Sequence, residues 1–526
     1  MGCRVRFPAL GLLAWMCCSL GSIEGGKVLV IPVDGSHWLS MKILVKELIN
    51  RGHEMVVLVP ESSLLMNASE SYRTQHYKVP YTKAELDEKF TELKDSVFTK
   101  SPEITTMFVN VMRMVNFTVF QEKGCKALLN NQPLMSQLRK EGFNMVLTDP
   151  FLPCGAILAR IFNIPVVYFT RGLPCDLDVK ANQCPIPLSY VPKAFSGNTD
   201  VMTFPERVKN NLIGLVEYYV CWISYAHFDV LVSDYVEKGM TYKDLLSHAA
   251  VWLLRSDFSL EWPKPVMPNM VFIGGINCVK KRPLPADLEE FVEGSGEAGF
   301  IVFTLGSMVS TMPEEIAKHF FEAFAKIPQR VLWRYTGVEP KNVPKNVKLM
   351  KWLPQNDLLA HPKAKAFLTH GGTHGIYEGI CNSVPMLMFP LFGDQEDNVL
   401  RMVARGVAET LSILDMTTDA LLVALNKVIN DKGYKERMVK WSALHLDRPV
   451  QPVDLAAFWT EFVMRHNGAG HLRVAAHDLN WFQYHSLDVI GFLLAVVVLA
   501  LWLVLKCCLF CTRKCCAKKT AKSKAE

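Results

Sequence analysis

Outside its last 21 residues the chain carries no net charge. The whole sequence is +6, and Lys506 to Glu526, with seven basic residues and one acid, supplies all of it. A basic footprint for nucleic acid is therefore missing, and the tail reads instead as a positive-inside signal. Charged residues are also scarce, 21% against 50% hydrophobic, which excludes a disordered chain. Long apolar runs are few. One lies at the N-terminus, and a second spans the 17 residues Val489 to Leu505. A third, "LIGLVEYYVCWISYAHF" (212–228), is broken by Glu217 and His227 and has no flanking charge asymmetry. It reads as a buried or membrane-leaning helix near an apolar pocket rather than a second span. At 526 residues the chain exceeds what one core accommodates, so two or more domains are expected.

The ends carry targeting signals. Arg4 and Arg6 precede an apolar stretch that closes on Ser19, Gly21 and Ser22, the layout of a secretory signal peptide over residues 1–25, cut near 22–26. The C-terminal run is at the lower edge of a spanning length, and a snorkelling Lys506 extends it, giving a transmembrane helix at 488–508. The basic tail, 509–526, is then cytosolic and the bulk of the chain luminal. The final "KSKAE" resembles the dilysine retrieval signal of endoplasmic reticulum membrane proteins, so a single-pass type I protein of that membrane is expected. Of 15 cysteines, three fall in the signal and five (Cys507, Cys508, Cys511, Cys515 and Cys516) at the membrane edge and tail, as acylation sites or plain thiols. Seven remain: Cys125, Cys154, Cys175, Cys184, Cys221, Cys278 and Cys381. That odd, loosely spaced set yields no disulfide framework. Asn67-Ala-Ser and Asn116-Phe-Thr are N-glycosylation sequons.

Between the ends, apolar runs alternate with helical patterns. "KVLVIPV" (27–33) reads as a strand buried on both faces, followed by an amphipathic stretch from Trp38 to Asn50 and a second strand in "RGHEMVVLVP". "FNMVLTD", "IPVVYF", "VWLLRSDF" and "NMVFIGGI" continue the series. "VKKRPLPADLEEF" (279–291) mixes basic residues with prolines and reads as a linker. A second series then runs through "GFIVFTLGSM", "RVLWRYTG", "VKLMKWLP", "AKAFLTHGG" and "VPMLMFPLF". Two doubly wound α/β domains in tandem are expected, 26–283 and 284–480, with ligands at the carboxyl ends of the strands in the cleft between them.

"FLTHGGTHGIYEGI" (367–380) raises a metal question, because His370 and His374 have the spacing of helical zinc ligands. A zinc hydrolase reading fails on the sequence itself. The position after the first histidine, where the general-base glutamate belongs, is Gly371, and two glycines destabilise the helix that would align both rings. The stretch reads better as a strand-to-helix turn whose helix N-terminus presents amides to a phosphate. "TLGS" is a second such turn. In the first series His37 opens a helix after a strand and "DGS", and Asp149 ends the strand "MVLTD" with Pro150 holding it extended. A carboxylate on one imidazole nitrogen fixes the tautomer and stabilises the cation formed on proton transfer, so His37 and Asp149 are the candidate catalytic pair.

The stretch Lys351 to Asn398 resembles the nucleotide-sugar signature of UDP-dependent glycosyltransferases of GT-B architecture. "IPVDGSHWLSM", "LTDPFLPC", "MPNMVFIGGINC" and "HDLNWFQYHSLDVIGFLLAVV" resemble vertebrate UDP-glucuronosyltransferases of the family 1 type, and the likeness covers essentially the whole chain. The resemblance implies a GT-B fold, two Rossmann-like domains facing across a cleft, plus one C-terminal transmembrane helix. It implies a UDP-sugar site in which Trp352 stacks on uracil and Gln355 binds its edge. Thr304, Gly306, Ser307, His370, Gly372, His374 and Gly375 would hold the diphosphate, Glu378 the ribose, and Asp394 and Gln395 the sugar. Arg255 would reach the phosphates or the glucuronate carboxylate. No tightly bound cofactor and no metal is implied; UDP-glucuronic acid is the co-substrate.

The implied reaction is inverting transfer of glucuronate to hydroxyls or amines of small lipophilic acceptors, endogenous or foreign, with His37 as base. The implied partners are a lipid bilayer and homo- or hetero-oligomers of related transferases. A transferase using UDP-glucose or UDP-xylose, or a non-catalytic UDP-sugar-binding membrane protein, is the alternative. Retention of both His37 and Asp149 argues against the latter.

Overall fold

The computed structural model describes residues 25–66, 68–99, 103–278 and 281–522. Residues 1–24 of the expected signal peptide, the sequon residue Asn67 and the last four residues of the tail lie outside the described residues.

Residues up to Leu472 form one compact unit built on two parallel sheets. The first sheet has strands β1 (Lys27–Ile31), β2 (Glu54–Pro60), β3 (Arg73–Tyr77), β4 (Met145–Thr148), β5 (Val166–Thr170), β6 (Val251–Leu254) and β7 (Met270–Phe272). Their order is β3-β2-β1-β4-β5-β6-β7. The second sheet has β8 (Phe300–Thr304), β9 (Arg330–Arg334), β10 (Val347–Met350), β11 (Ala364–Thr369), β12 (Met386–Met388) and β13 (Ala408–Thr410), ordered β10-β9-β8-β11-β12-β13. In each sheet the order reverses beside the first strand, which opens a crevice at its carboxyl end. Continuous apolar strands follow from this architecture: β1, β4, β5, β6 and β8 are buried along almost their whole length because helices cover both faces. Two apolar clusters flank each sheet.

Five helices position the site. Helix α1 (Ser36–Asn50) follows β1, and its N-cap Gly35 has φ +83°, a left-handed value that favours glycine. Asp34 holds this turn, accepting from the backbone amides of Gly35, Leu64 and Leu65 and from Ser63 Oγ at 2.7–3.1 Å. Helix α2 (Phe204–Tyr235) contains the interrupted apolar stretch. It is not buried: Leu212, Leu215, Tyr218, Tyr219 and Trp222 are exposed, and only Asn210, Phe228, Leu231 and Val232 are buried. Helix α3 (Thr373–Cys381) follows β11, and α4 (Gln395–Ala404) follows β12. Helix α5 (Pro452–His466) returns to the first sheet, where Ala456, Ala457 and Val463 pack into the cluster that contains Met41, Leu44 and Val45 of α1.

Six of the seven central cysteines are paired, Cys125–Cys154, Cys175–Cys221 and Cys278–Cys381, and Cys184 is the buried odd one. The spacing hid these pairs because each joins different elements. Cys278–Cys381, for example, ties the segment entering the second sheet to the end of α3.

The second unit, Arg473 to Glu526, is dominated by helix α6 (Leu487–Lys522). Its stretch Leu487–Lys514 is long and apolar enough to cross a membrane, and its side chains are exposed.

Candidate active site

The loops at the carboxyl ends of both sheets enclose a cavity of about 2350 Å³. That volume exceeds the usual range for one small ligand and suits two substrates together. Every residue expected at the site lines it except Asp149, which lies fully buried behind His37.

His37 is the second residue of α1, and its Nδ1 lies 2.6 Å from Asp149 Oδ2. Asp149 follows β4, and its other oxygen accepts the Phe151 amide at 3.0 Å. The carboxylate is therefore fixed from both sides. With Nδ1 engaged, Nε2 is the nitrogen left for a substrate. Phe151 packs edge-on against the imidazole, with centroids 5.9 Å apart, and limits its rotation.

Across the cavity stand the glycine turns. His370 lies between Gly306 and Gly372: a Cβ at either glycine would come within 2.6 Å of the imidazole. Gly306 and Gly371 also have φ near +90°, so both turns need glycine for backbone reasons as well. Burial pulls the His370 pKa down to about 4; the Asp394 charge works against this and the Arg334 charge adds to it. A neutral ring donates one hydrogen bond. Helix α3 begins at Thr373 with Gly372 as N-cap, so the first amides and the positive end of the helix face the cavity. His370 belongs to the turn and His374 to the first turn of the helix, which disposes of a shared helical metal site.

Further along α3, Glu378 Oε2 accepts from Gln355 Nε2 at 2.6 Å, and Glu378 Oε1 lies 3.2 Å from His374 Nε2. Gln355 is thus turned onto Glu378 in this state. Trp352 is half exposed, and the Arg334 guanidinium stacks on it at 5.2 Å. Thr304 Oγ1 accepts the Gly306 amide at 3.1 Å and holds the "TLGS" turn. Ser307 contributes its carbonyl to Arg334 at 3.2 Å. Gln395 is buried, and its Oε1 accepts the Leu391 and Phe392 amides at 2.9 and 3.1 Å, so only its NH₂ is free for a ligand. Asp394 is exposed at the N-cap of α4. Arg255, one residue beyond β6, is buried and donates to Ser40 Oγ at 3.1 Å.

Arg171, Arg334, Ser40 and Asp34 escaped the sequence reading. Arg171, just after β5, forms an ion pair with Glu261 and reaches Asn398 Oδ1 at 3.0 Å and Asp394 Oδ2 at 3.4 Å. Arg401 adds a second cation 3.4 Å from Glu261. Burial alone would raise the Glu261 pKa, but the Arg171 and Arg401 charges bring it down to about 2. This network ties the first sheet to α4. Arg334 has no carboxylate partner among the described residues, and burial lowers its pKa. The available signal was position: Arg171, Arg255 and Arg334 all stand at or just beyond the carboxyl end of a strand.

Two parallel sheets with facing glycine turns define a GT-B glycosyltransferase fold. Solved structures agree. The chain is similar to glycosyltransferase VinC in complex with dTDP (TM-score 0.57, 18% identity, 84% of this chain and 100% of that one). It is likewise similar to CalG4, the calicheamicin glycosyltransferase (TM-score 0.54, 18% identity, 84% and 99%). The family model for UDP-glucoronosyl and UDP-glucosyl transferase matches residues 26–522, so the chain belongs to that family. A UDP-glucuronosyltransferase of Pleuronectes platessa is 62% identical over 89% of this chain and 100% of its own length. Human UDP-glucuronosyltransferase 1A1 is 50% identical over 98% of this chain and 97% of its own.

Proposed function

We propose that this glycosyltransferase transfers glucuronate from UDP-glucuronate to a hydroxyl or amine of a lipophilic small molecule. The observation that carries the reading is the His37–Asp149 pair, presented to a cavity whose opposite wall holds the N-terminus of α3. His37 Nε2 takes the acceptor proton as the acceptor atom bonds to the anomeric carbon. The bond from that carbon to the diphosphate oxygen breaks, and its electron pair leaves with UDP. A single displacement turns the α-linked donor into a β-glucuronide. Asp149 holds the ring and balances the imidazolium. The α3 amides and His370 receive the growing charge on the diphosphate. Trp352 offers its ring to the uracil, Glu378 its carboxylate to the ribose, and Asp394 with the Gln395 amide grips the sugar.

The acceptor end of the cavity is apolar, with Phe117, Leu173, Val216, Val220 and Phe228 among its walls. That suits phenols, steroids and similar lipophilic compounds. Helix α6 serves as a membrane anchor, with Trp481, Phe482 and Tyr484 just before it in the manner of an interfacial belt. The basic tail puts the two sheets in the lumen of the endoplasmic reticulum, and the exposed apolar stripe of α2 suits contact with a bilayer. Asn116, exposed on its helix, is a glycan acceptor there.

The test is an assay of the full chain in microsomes with UDP-glucuronate, UDP-glucose and UDP-xylose against a phenolic and steroid panel. The expected result is β-glucuronide formation with a preference for UDP-glucuronate. Equal turnover of UDP-glucose, or binding of donor without turnover, would overturn the reading.

A further inference from the structure

Ser40 lies one turn after His37 on α1 and is 2% exposed. Its Oγ meets three groups: the Ser36 carbonyl at 3.0 Å, Arg255 Nη1 at 3.1 Å and His374 Nδ1 at 3.1 Å. The last contact crosses the cleft and joins residues 334 positions apart. Protonation logic gives this cluster a direction. The Glu378 carboxylate accepts only, and it faces His374 Nε2 at 3.2 Å, so Nε2 carries a proton. In the neutral ring Nδ1 is then an acceptor, and the single Ser40 hydroxyl proton is divided between it and the Ser36 carbonyl, the other acceptor within reach. Arg255 can only donate, and it fills an acceptor site on Ser40. The result is a chain of donors from Arg255 through Ser40 to His374 and on to Glu378, which also receives Gln355 at 2.6 Å. Asn277 Nδ2 holds the His374 carbonyl at 2.7 Å, so the histidine has little freedom to turn away.

We propose that Ser40 is a positioning residue that couples the helix of the catalytic base to the donor-binding turn. It partners His374 Nδ1 in the tautomer that Glu378 selects, and it registers α1 against α3. Donor bound on α3 is thereby aligned with His37 on α1. The inference rests on the reading of α3 as the donor site.

Steady-state kinetics and calorimetric UDP binding on the full chain in detergent provide the test. Ser40→Ala is expected to raise KM for UDP-glucuronate and the Kd for UDP about fivefold, the loss of one hydrogen bond. KM for the acceptor should move less than about twofold, and Ser40→Thr should recover most of the loss. In a His374→Ala background, Ser40→Ala should add nothing. If Ser40→Ala fails to fold, Ser40→Thr and Ser40→Val replace it, since they share a shape and differ in the hydroxyl. An unchanged donor KM in Ser40→Ala, or the same increment with and without His374, overturns the coupling. If His374→Ala itself leaves donor KM unchanged, the donor-site reading falls first.

Discussion

Among the described residues, His37 and His445 each meet an aspartate through Nδ1, and they differ in almost everything else. His37 lies 2.6 Å from Asp149 and His445 lies 3.1 Å from Asp257. The His37 side chain is 31% exposed and lines the cavity; that of His445 is 1% exposed. Asp149 holds its histidine and one backbone amide. Asp257 is shared among His445, Arg448 at 2.9 Å, the hydroxyl of Tyr377 at 3.1 Å and Ser259 at 3.0 Å through its amide. Burial would raise the Asp257 pKa, but His445, Ser259 and Arg448 hold it below the usual carboxylate range. The same two side chains thus present an open imidazole to the cavity in one place and form a closed bracket in the other. Access and the number of competing partners decide which.

The comparison breaks most visibly at His37. His37→Gln removes the proposed base and keeps the shape, so kcat should fall by roughly 10²- to 10⁴-fold. The thermal midpoint and the Kd for UDP should stay near wild type. A fall of less than about tenfold would show that the pair is not the proton acceptor.

At the bracket the effect should appear in stability. His445 supports Asp257, whose backbone amide donates to the Tyr377 hydroxyl at 2.8 Å and so links the first sheet to α3. His445→Gln should destabilise by about 2–3 kcal/mol, measured by thermal or denaturant unfolding. Activity per folded molecule should remain near wild type. Loss of kcat with normal stability would mean that the buried pair communicates with the chemistry. The Arg171 network belongs with the bracket: Arg171→Met leaves Glu261 buried with one cation, and a cost of up to about 3 kcal/mol is expected. Since Glu261 is held down to about 2 in the fold, its contribution to stability is complete above about 4.5 and is lost as the pH falls toward about 2.

Legibility followed the same division. The second half of the site was readable because its turns and helix fall within one contiguous stretch, and backbone approach demands glycine there. The strands of both sheet centres were readable because burial on both faces makes them continuously apolar. Edge strands β3, "RTQHY", and β13, "AET", were not, because an edge buries little and its sequence stays polar. Arg171, Ser40 and the bracket around His445 were invisible for another reason. Each acts through partners more than 100 positions away, such as Asn398, His374 and Asp257. A lone serine or arginine carries no trace of that pairing. The return of α5 to the first sheet was hidden likewise, since an amphipathic helix does not name the surface it covers.

The smallest expected effect concerns a third histidine, His370, which has no hydrogen-bonded or ion-paired aspartate among the described residues. Burial holds its pKa at about 4 against an ordinary 6.5. Between those values the unfolded chain binds a proton that the folded one refuses, so the free protein should lose stability as the pH falls from about 6.5 toward about 4. A diphosphate beside the ring reverses the balance, because an adjacent anion favours the imidazolium. Binding of a UDP-sugar near pH 5.5 should therefore take up a fraction of a proton. The sugar-capped diphosphate has no ionisation of its own in this range, so the proton must come to the protein. Calorimetry in two buffers of different ionisation enthalpy reads this directly, with His37→Gln as the background to silence the base. The uptake should vanish in His370→Asn and near pH 8. Equal uptake with and without His370 would place the proton elsewhere and remove His370 from contact with the diphosphate.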